Sequence, residues 1–145
     1  MQLLWIVSVA TALAAPRPCS ARDLVPRIDT NGAGGTIIVY ATLWNTSARA
    51  CTGRGRLVVS LRDAKSNRLL RVVGNPHAKL VHRRLRAGRN SVFWLQWENY
   101  CGPGRPMVFQ ATFARRRDVQ RSAYPGARCE SPSTPSRLRV FRIRR

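Results

Sequence analysis

Residues 91–113 read SVFWLQWENYCGPGRPMVFQATF. Taken at a period of two, Phe93, Leu95 and Trp97 share one face and Val92, Trp94 and Gln96 the other. After a turn at residues 101–106 (CGPGRP), Met107, Phe109, Ala111 and Phe113 again share a face. Two alternating runs rich in aromatic and β-branched residues, separated by Gly and Pro, predict a pair of antiparallel strands joined as a hairpin. Three of the chain's four Phe and two of its four Trp lie here, so this stretch is expected at the centre of the core.

Working towards the N-terminus, the same alternation recurs. Residues 79–85 (KLVHRRL), 68–73 (RLLRVV) and 56–62 (RLVVSLR) read as strands, separated by turn chemistry at 86–89, 74–77 and 63–67. Residues 36–44 (TIIVYATLW) are apolar on both faces, as in a central strand. They follow a turn signal at 31–35 (NGAGG). Residues 23–29 (DLVPRID) form a modest strand that Pro26 confines to an edge. Towards the C-terminus, 114–136 reads as a long loop carrying Cys129, and 137–144 as a closing strand. No stretch has a convincing helical period. About eight short strands at this spacing predict a sandwich or a barrel.

The chain of 145 residues is one domain's worth. Residues 1–14 (MQLLWIVSVATALA) have the apolar run and small-residue ending of a secretory signal, and the run falls short of the roughly 20 residues a membrane span needs. Residues 15–145 would then be a single exported domain, in an oxidising compartment where four cysteines form two disulfides. Three pairings are possible. Cys19–Cys51 and Cys101–Cys129 are favoured because each closes a loop between neighbouring segments. Asn45-Thr46-Ser47 fits a glycosylation sequon, but after a strand it reads first as a turn.

The formal net charge is +20, from 26 Lys and Arg against six Asp and Glu. All but Lys65 and Lys79 of the cations are Arg. GC-rich coding accounts for Arg over Lys; it does not account for so few acids. The candidate polyanion-binding clusters are Arg83, Arg84, Arg86 and Arg89; Arg115, Arg116 and Arg117; and Arg137, Arg139, Arg142, Arg144 and Arg145. Arg forks suit phosphate and carboxylate groups. Tyr40, Trp44, Trp94, Tyr100 and Tyr124 fall outside the core pattern. An export signal argues against nucleic acid as the natural partner and for anionic envelope polymers, lipid headgroups or a protein.

Catalysis finds little support. Six carboxylates among 26 cations give no convergent acid pair, there is no Gly-x-Ser-x-Gly elbow, and oxidised cysteines are not nucleophiles. His77 and His82 lie far from every Cys, so no zinc spacing exists. No metal, cofactor or catalytic residue is expected.

The centre of the chain resembles a secreted domain-of-unknown-function family, number 4232, met in actinomycetes. The resemblance rests on Gly34-Gly35 before a strand; on Leu43-Trp44-Asn45-Thr46-Ser47 with Ala50-Cys51-Thr52; on Gly55 before residues 57–63; and on residues 85–95 followed by Trp97-Glu98-Asn99-Tyr100-Cys101. It covers residues 19–113, with Cys129 as the partner further on. It implies an immunoglobulin-like β-sandwich of about seven or eight antiparallel strands, exported to the envelope or medium, and implies no catalytic or binding residues. The expected function is therefore a monomeric, non-catalytic module that binds anionic envelope material. The alternatives are a protein-interaction module with incidental charge and, last, a small hydrolase.

Overall fold

The computed structural model describes residues 17–141, and among these there is no helix. Eight strands follow in order: β1 (Leu24–Ala33), β2 (Thr36–Asn45), β3 (Cys51–Asp63), β4 (His77–Leu85), β5 (Asn90–Glu98), β6 (Met107–Phe113), β7 (Arg116–Arg121) and β8 (Arg137–Val140). They form two antiparallel four-stranded sheets, one in the order β1-β2-β5-β8 and the other β4-β3-β6-β7. β1-β2-β5 and β3-β6-β7 repeat the A-B-E and C-F-G order of an immunoglobulin sandwich. β4 is added beside β3, and β8 takes the place next to β5 that a constant-type domain gives to strand D. The expected all-β sandwich is what the chain adopts.

The predicted hairpin at 91–113 does not form. β5 and β6 lie in opposite sheets, β5 between β2 and β8, β6 between β3 and β7. The alternation was right and the pairing wrong, for a physical reason. In one sheet the two apolar rows would lie side by side and need a separate cover. In opposite sheets they cover each other: Trp97 and Phe109 are both fully buried, with ring centroids 5.9 Å apart at an interplanar angle of 72°. The indole N–H of Trp97 donates to Ser136 Oγ at 2.9 Å, as a buried indole requires.

Three other expectations change. Residues 68–73 form no strand, only isolated bridges at Leu69 and Val73. Asn75 competes for that edge of β3: its Oδ1 accepts from Leu61 N, and its Nδ2 donates to the carbonyls of Leu61 and Leu70. The presumed loop at 114–136 contains β7, whose only apolar residue, Val119, left no hydrophobic signal. β7 is held as an edge strand by β6 and by Asp118, whose carboxylate accepts from Ile28 N of β1. Finally, β1 runs on through Ala33 to a two-residue turn. Gly34 and Gly35 have φ of +57° and +89°, the double positive φ that a type I′ hairpin demands.

The disulfides pair as favoured, Cys19–Cys51 and Cys101–Cys129. The first ties residues 17–19 alongside Thr52, where Cys19 N donates to Thr52 O and Thr52 N to Arg17 O. The second pins the β5–β6 crossing to the segment before β8. Asn99 reinforces it, because its Oδ1 accepts from Glu130 N and Ser131 N and its Nδ2 donates to the carbonyls of Ser131 and Thr134. The sequon asparagine is unavailable for glycosylation. Asn45 is fully buried, with Nδ2 donating to Arg49 O and Leu85 O. The signal sequence expected at residues 1–14 and the end of the expected closing strand lie outside the described residues.

Replacing Cys101 and Cys129 by Ser opens a loop spanning 28 residues, which should cost about 3–4 kcal/mol in urea unfolding. Trp97→Ala should cost a comparable 3–5 kcal/mol or so. A loss under about 1 kcal/mol in both would contradict this account of the crossing.

Candidate polyanion interface

Strand parity sorts the charges. On β3, Leu57, Val59 and Leu61 point inward, so Arg54, Arg56 and Arg62 point out. The register carries that outer face across the sheet: Thr52 opposes Arg84, Arg54 opposes His82, Val58 opposes Thr112, and Thr112 opposes Arg117. Arg62 opposes Val108, which opposes Arg121. The outer face of β4-β3-β6-β7 therefore presents Arg54, Arg56, Arg62, Arg84, Arg117 and Arg121, with His82. Between them lie Ser60, Gln110 and Thr112 together with the apolar Val58, Leu80, Val108 and Val119. Among the described residues, no carboxylate belongs to this face.

The nearby acids are turned elsewhere. Asp118 points inward to Ile28 N. Asp63 closes its own turn, with Oδ1 accepting from the backbone N–H groups of Lys65 and Ser66 and from Ser66 Oγ, while Arg105 Nη1 lies 3.6 Å from Oδ2. Those contacts, the Ser66 N–H first, hold the Asp63 carboxyl below its usual value. Asp23 is lowered likewise, by the Ser20 N–H and then by Arg17.

The opposite outer face, on β1-β2-β5-β8, has another character. Tyr40 packs edge-on against Trp94 at 5.2 Å, and Trp94 stacks on Phe141 at 6.0 Å. Trp44 and Val92 are exposed beside them. Its charges are mixed: Arg139 pairs with Glu98 at 3.0 Å beside Arg137, and Arg27 and Asp29 lie on the same face at the far edge, on β1.

The sequence clusters are thus dispersed. Arg84 and Arg117 share the acid-free face. Arg83 projects from β4 towards the other sheet and donates to Ser91 Oγ, Arg86 and Arg89 occupy the β4–β5 turn, Arg115 lies in the β6–β7 turn, and Arg116 opens β7 opposite the inward Phe113. Arg137 and Arg139 belong to the aromatic sheet. Arg142, Arg144 and Arg145 lie outside the described residues. Arg54, Arg56, Arg62 and Arg121 were missed because they are not contiguous. The Arg-x-Arg at 54–56, which puts two cations on one strand face, was the available signal. No group of three or more His, Cys, Asp or Glu capable of holding a metal occurs among the described residues.

His77 adds a pH response. Burial, and then the Lys79 charge, lower its pKa below 6.5, so folding favours the neutral ring. The unfolded chain takes up a proton that the folded chain resists, and stability falls as pH drops below about 6.5. Asp23 and Asp63 have lowered pKa values, so their contribution is present above pH 3.8 and lost as pH falls further. The unfolding midpoint should therefore drop in two stages on acidification. His77→Asn should remove the first stage alone, and a profile unchanged by that substitution would contradict the assignment.

No curated protein and no solved structure shows significant similarity to the chain. The family model for a domain of unknown function, DUF4232, matches residues 19–138, the whole sandwich from the first cysteine into β8, and the chain belongs to that family.

Proposed function

We propose that the protein is an exported, non-catalytic binding module that holds anionic envelope polymers against the outer face of β4-β3-β6-β7. One observation carries the reading: six arginines share a sheet face with no carboxylate. Surface cations normally neutralise neighbouring acids, and here the acids are spent on turns and on β1. A sheet face also spaces its charges regularly, with about 6.6 Å between alternate residues and about 4.8 Å between strands, a comb suited to a repeating anionic chain. Arg offers paired donors to phosphate or carboxylate oxygens. Two disulfides fit an oxidising destination, and no described helix is long and apolar enough to cross a membrane.

A second reading, a protein-interaction module, is favoured by the exposed Trp44 and Val92 on the other sheet.

Retention on immobilised polyphosphate separates them. Arg54→Glu, Arg56→Glu and Arg117→Glu together should reduce affinity by at least tenfold at about 0.1 M salt, while Arg137→Glu with Arg139→Glu changes it far less. About 1 M salt should release the parent protein, since charges are then screened within roughly 3 Å. Binding that survives such salt, or that ignores the triple substitution, would overturn the polyanion reading.

A further inference from the structure

The two sheets meet unequally at their edges. On one side β1 packs against β6 and β7. On the other, β4 and β5 scarcely touch, and β8 pairs only with Leu95–Glu98 of β5. The first half of β5 and the outer edge of β4 therefore leave the sandwich open. The gap is a slot of about 210 Å³.

Its chemistry is divided by depth. The floor is core: Leu43, Leu57, Val81 and Phe93, each at most 8% exposed. The rim is cationic. Lys79 Nζ lies 6.0 Å from the centre of the Phe93 ring, and Arg83 Nη1 donates to Ser91 Oγ at 3.3 Å, on the same edge of β4. No carboxylate lines the slot. Leu80 and Val92 also border the slot, but each turns to the outer face of its own sheet, Leu80 opposite Arg56 and Val92 opposite Thr42. Lys and Arg on an edge strand also discourage pairing with other chains, but that role does not require an apolar slot beneath them.

We propose that this slot is a binding site for a free fatty-acid anion, its carboxylate held between Lys79 and Arg83 and its chain laid over Phe93 towards Leu43 and Leu57. The charge of the rim selects the head, and the dry floor selects the tail. The size selects one chain: an apolar cavity of about 150 Å³ takes a benzene, so this slot takes a short run of methylenes and not the two tails of a phospholipid. The site is separate from the arginine face, and either assignment can stand without the other.

Dodecanoate, titrated calorimetrically below its micellar concentration, should bind with a stoichiometry of one. Acetate, which lacks the tail, and dodecyltrimethylammonium, which reverses the head, should not. Lys79→Glu with Arg83→Glu should weaken dodecanoate at least tenfold. Ser91→Phe, which plugs the mouth from an edge position, should abolish binding, with the thermal midpoint of each variant confirming that it is folded. The Arg54, Arg56 and Arg117 charge reversals should leave dodecanoate affinity within about twofold, which separates this site from the polyanion face. Failure of dodecanoate to bind, equal binding of the cationic amphiphile, binding only to vesicles of anionic phospholipid, or indifference to both slot variants would overturn the proposal.

Discussion

The contact between Trp97 and Phe109 holds the two sheets together and dictates the order of everything around it. β5 and β6 are consecutive strands that could have paired, and their separation into opposite sheets makes the molecule a sandwich. Around Trp97 the supporting contacts come from distant segments: the Ser136 hydroxyl and the Asn99 network that reaches residues 130–134. The Cys101–Cys129 bond closes the same region. Each is long-range, so this corner can form only when most of the chain is in place. A small domain with a net stability of about 5–15 kcal/mol depends heavily on one such corner.

Once the sheets are set, parity distributes the charge. A chain with net charge +20 cannot pair most of its cations. The few acids are used where geometry needs an acceptor: Asp63 and Asp23 in turns, Asp118 across to β1, Glu98 with Arg139. What remains is segregation. One outer face carries six arginines and no acid, the other carries aromatic rings with mixed charges, and the open edge between β4 and β5 combines apolar depth with a cationic rim. Repulsion among the unpaired arginines opposes folding, and the two disulfides act against it by restricting the unfolded chain.

Alternation along β2, β3, β5 and β6 made the strands readable, because one buried face leaves a period of two in the residues themselves. A sandwich or barrel followed from that, the family resemblance narrowed it to a sandwich, and cysteine spacing favoured the two disulfide pairings that form. Three things were not readable. Which sheet β6 joins depends on the far partners of Phe109 and Trp97, and local pattern carries no such information. β7 has too little apolar content to announce itself and exists because β6 offers a free edge. Residues 68–73 form no strand because β4 takes the same edge of β3 up to Val59, and Asn75 takes the Leu61 N–H and the Leu70 carbonyl beyond it. For the candidate interface, contiguous basic runs proved a poor guide. Neighbours in sequence point to opposite faces of a strand, whereas Arg54 and Arg56, two apart, share one.

The central claim is that the acid-free face of β4-β3-β6-β7 is where a polyanion lies. Backbone amide shifts followed during titration with a short polyphosphate at low salt test it directly. The account predicts changes concentrated at Arg54, Arg56, Arg62, Arg84, Arg117, Arg121 and the residues between them, with Tyr40, Trp94 and their neighbours nearly still. Changes spread evenly over every exposed arginine, or centred on the aromatic sheet, would contradict it.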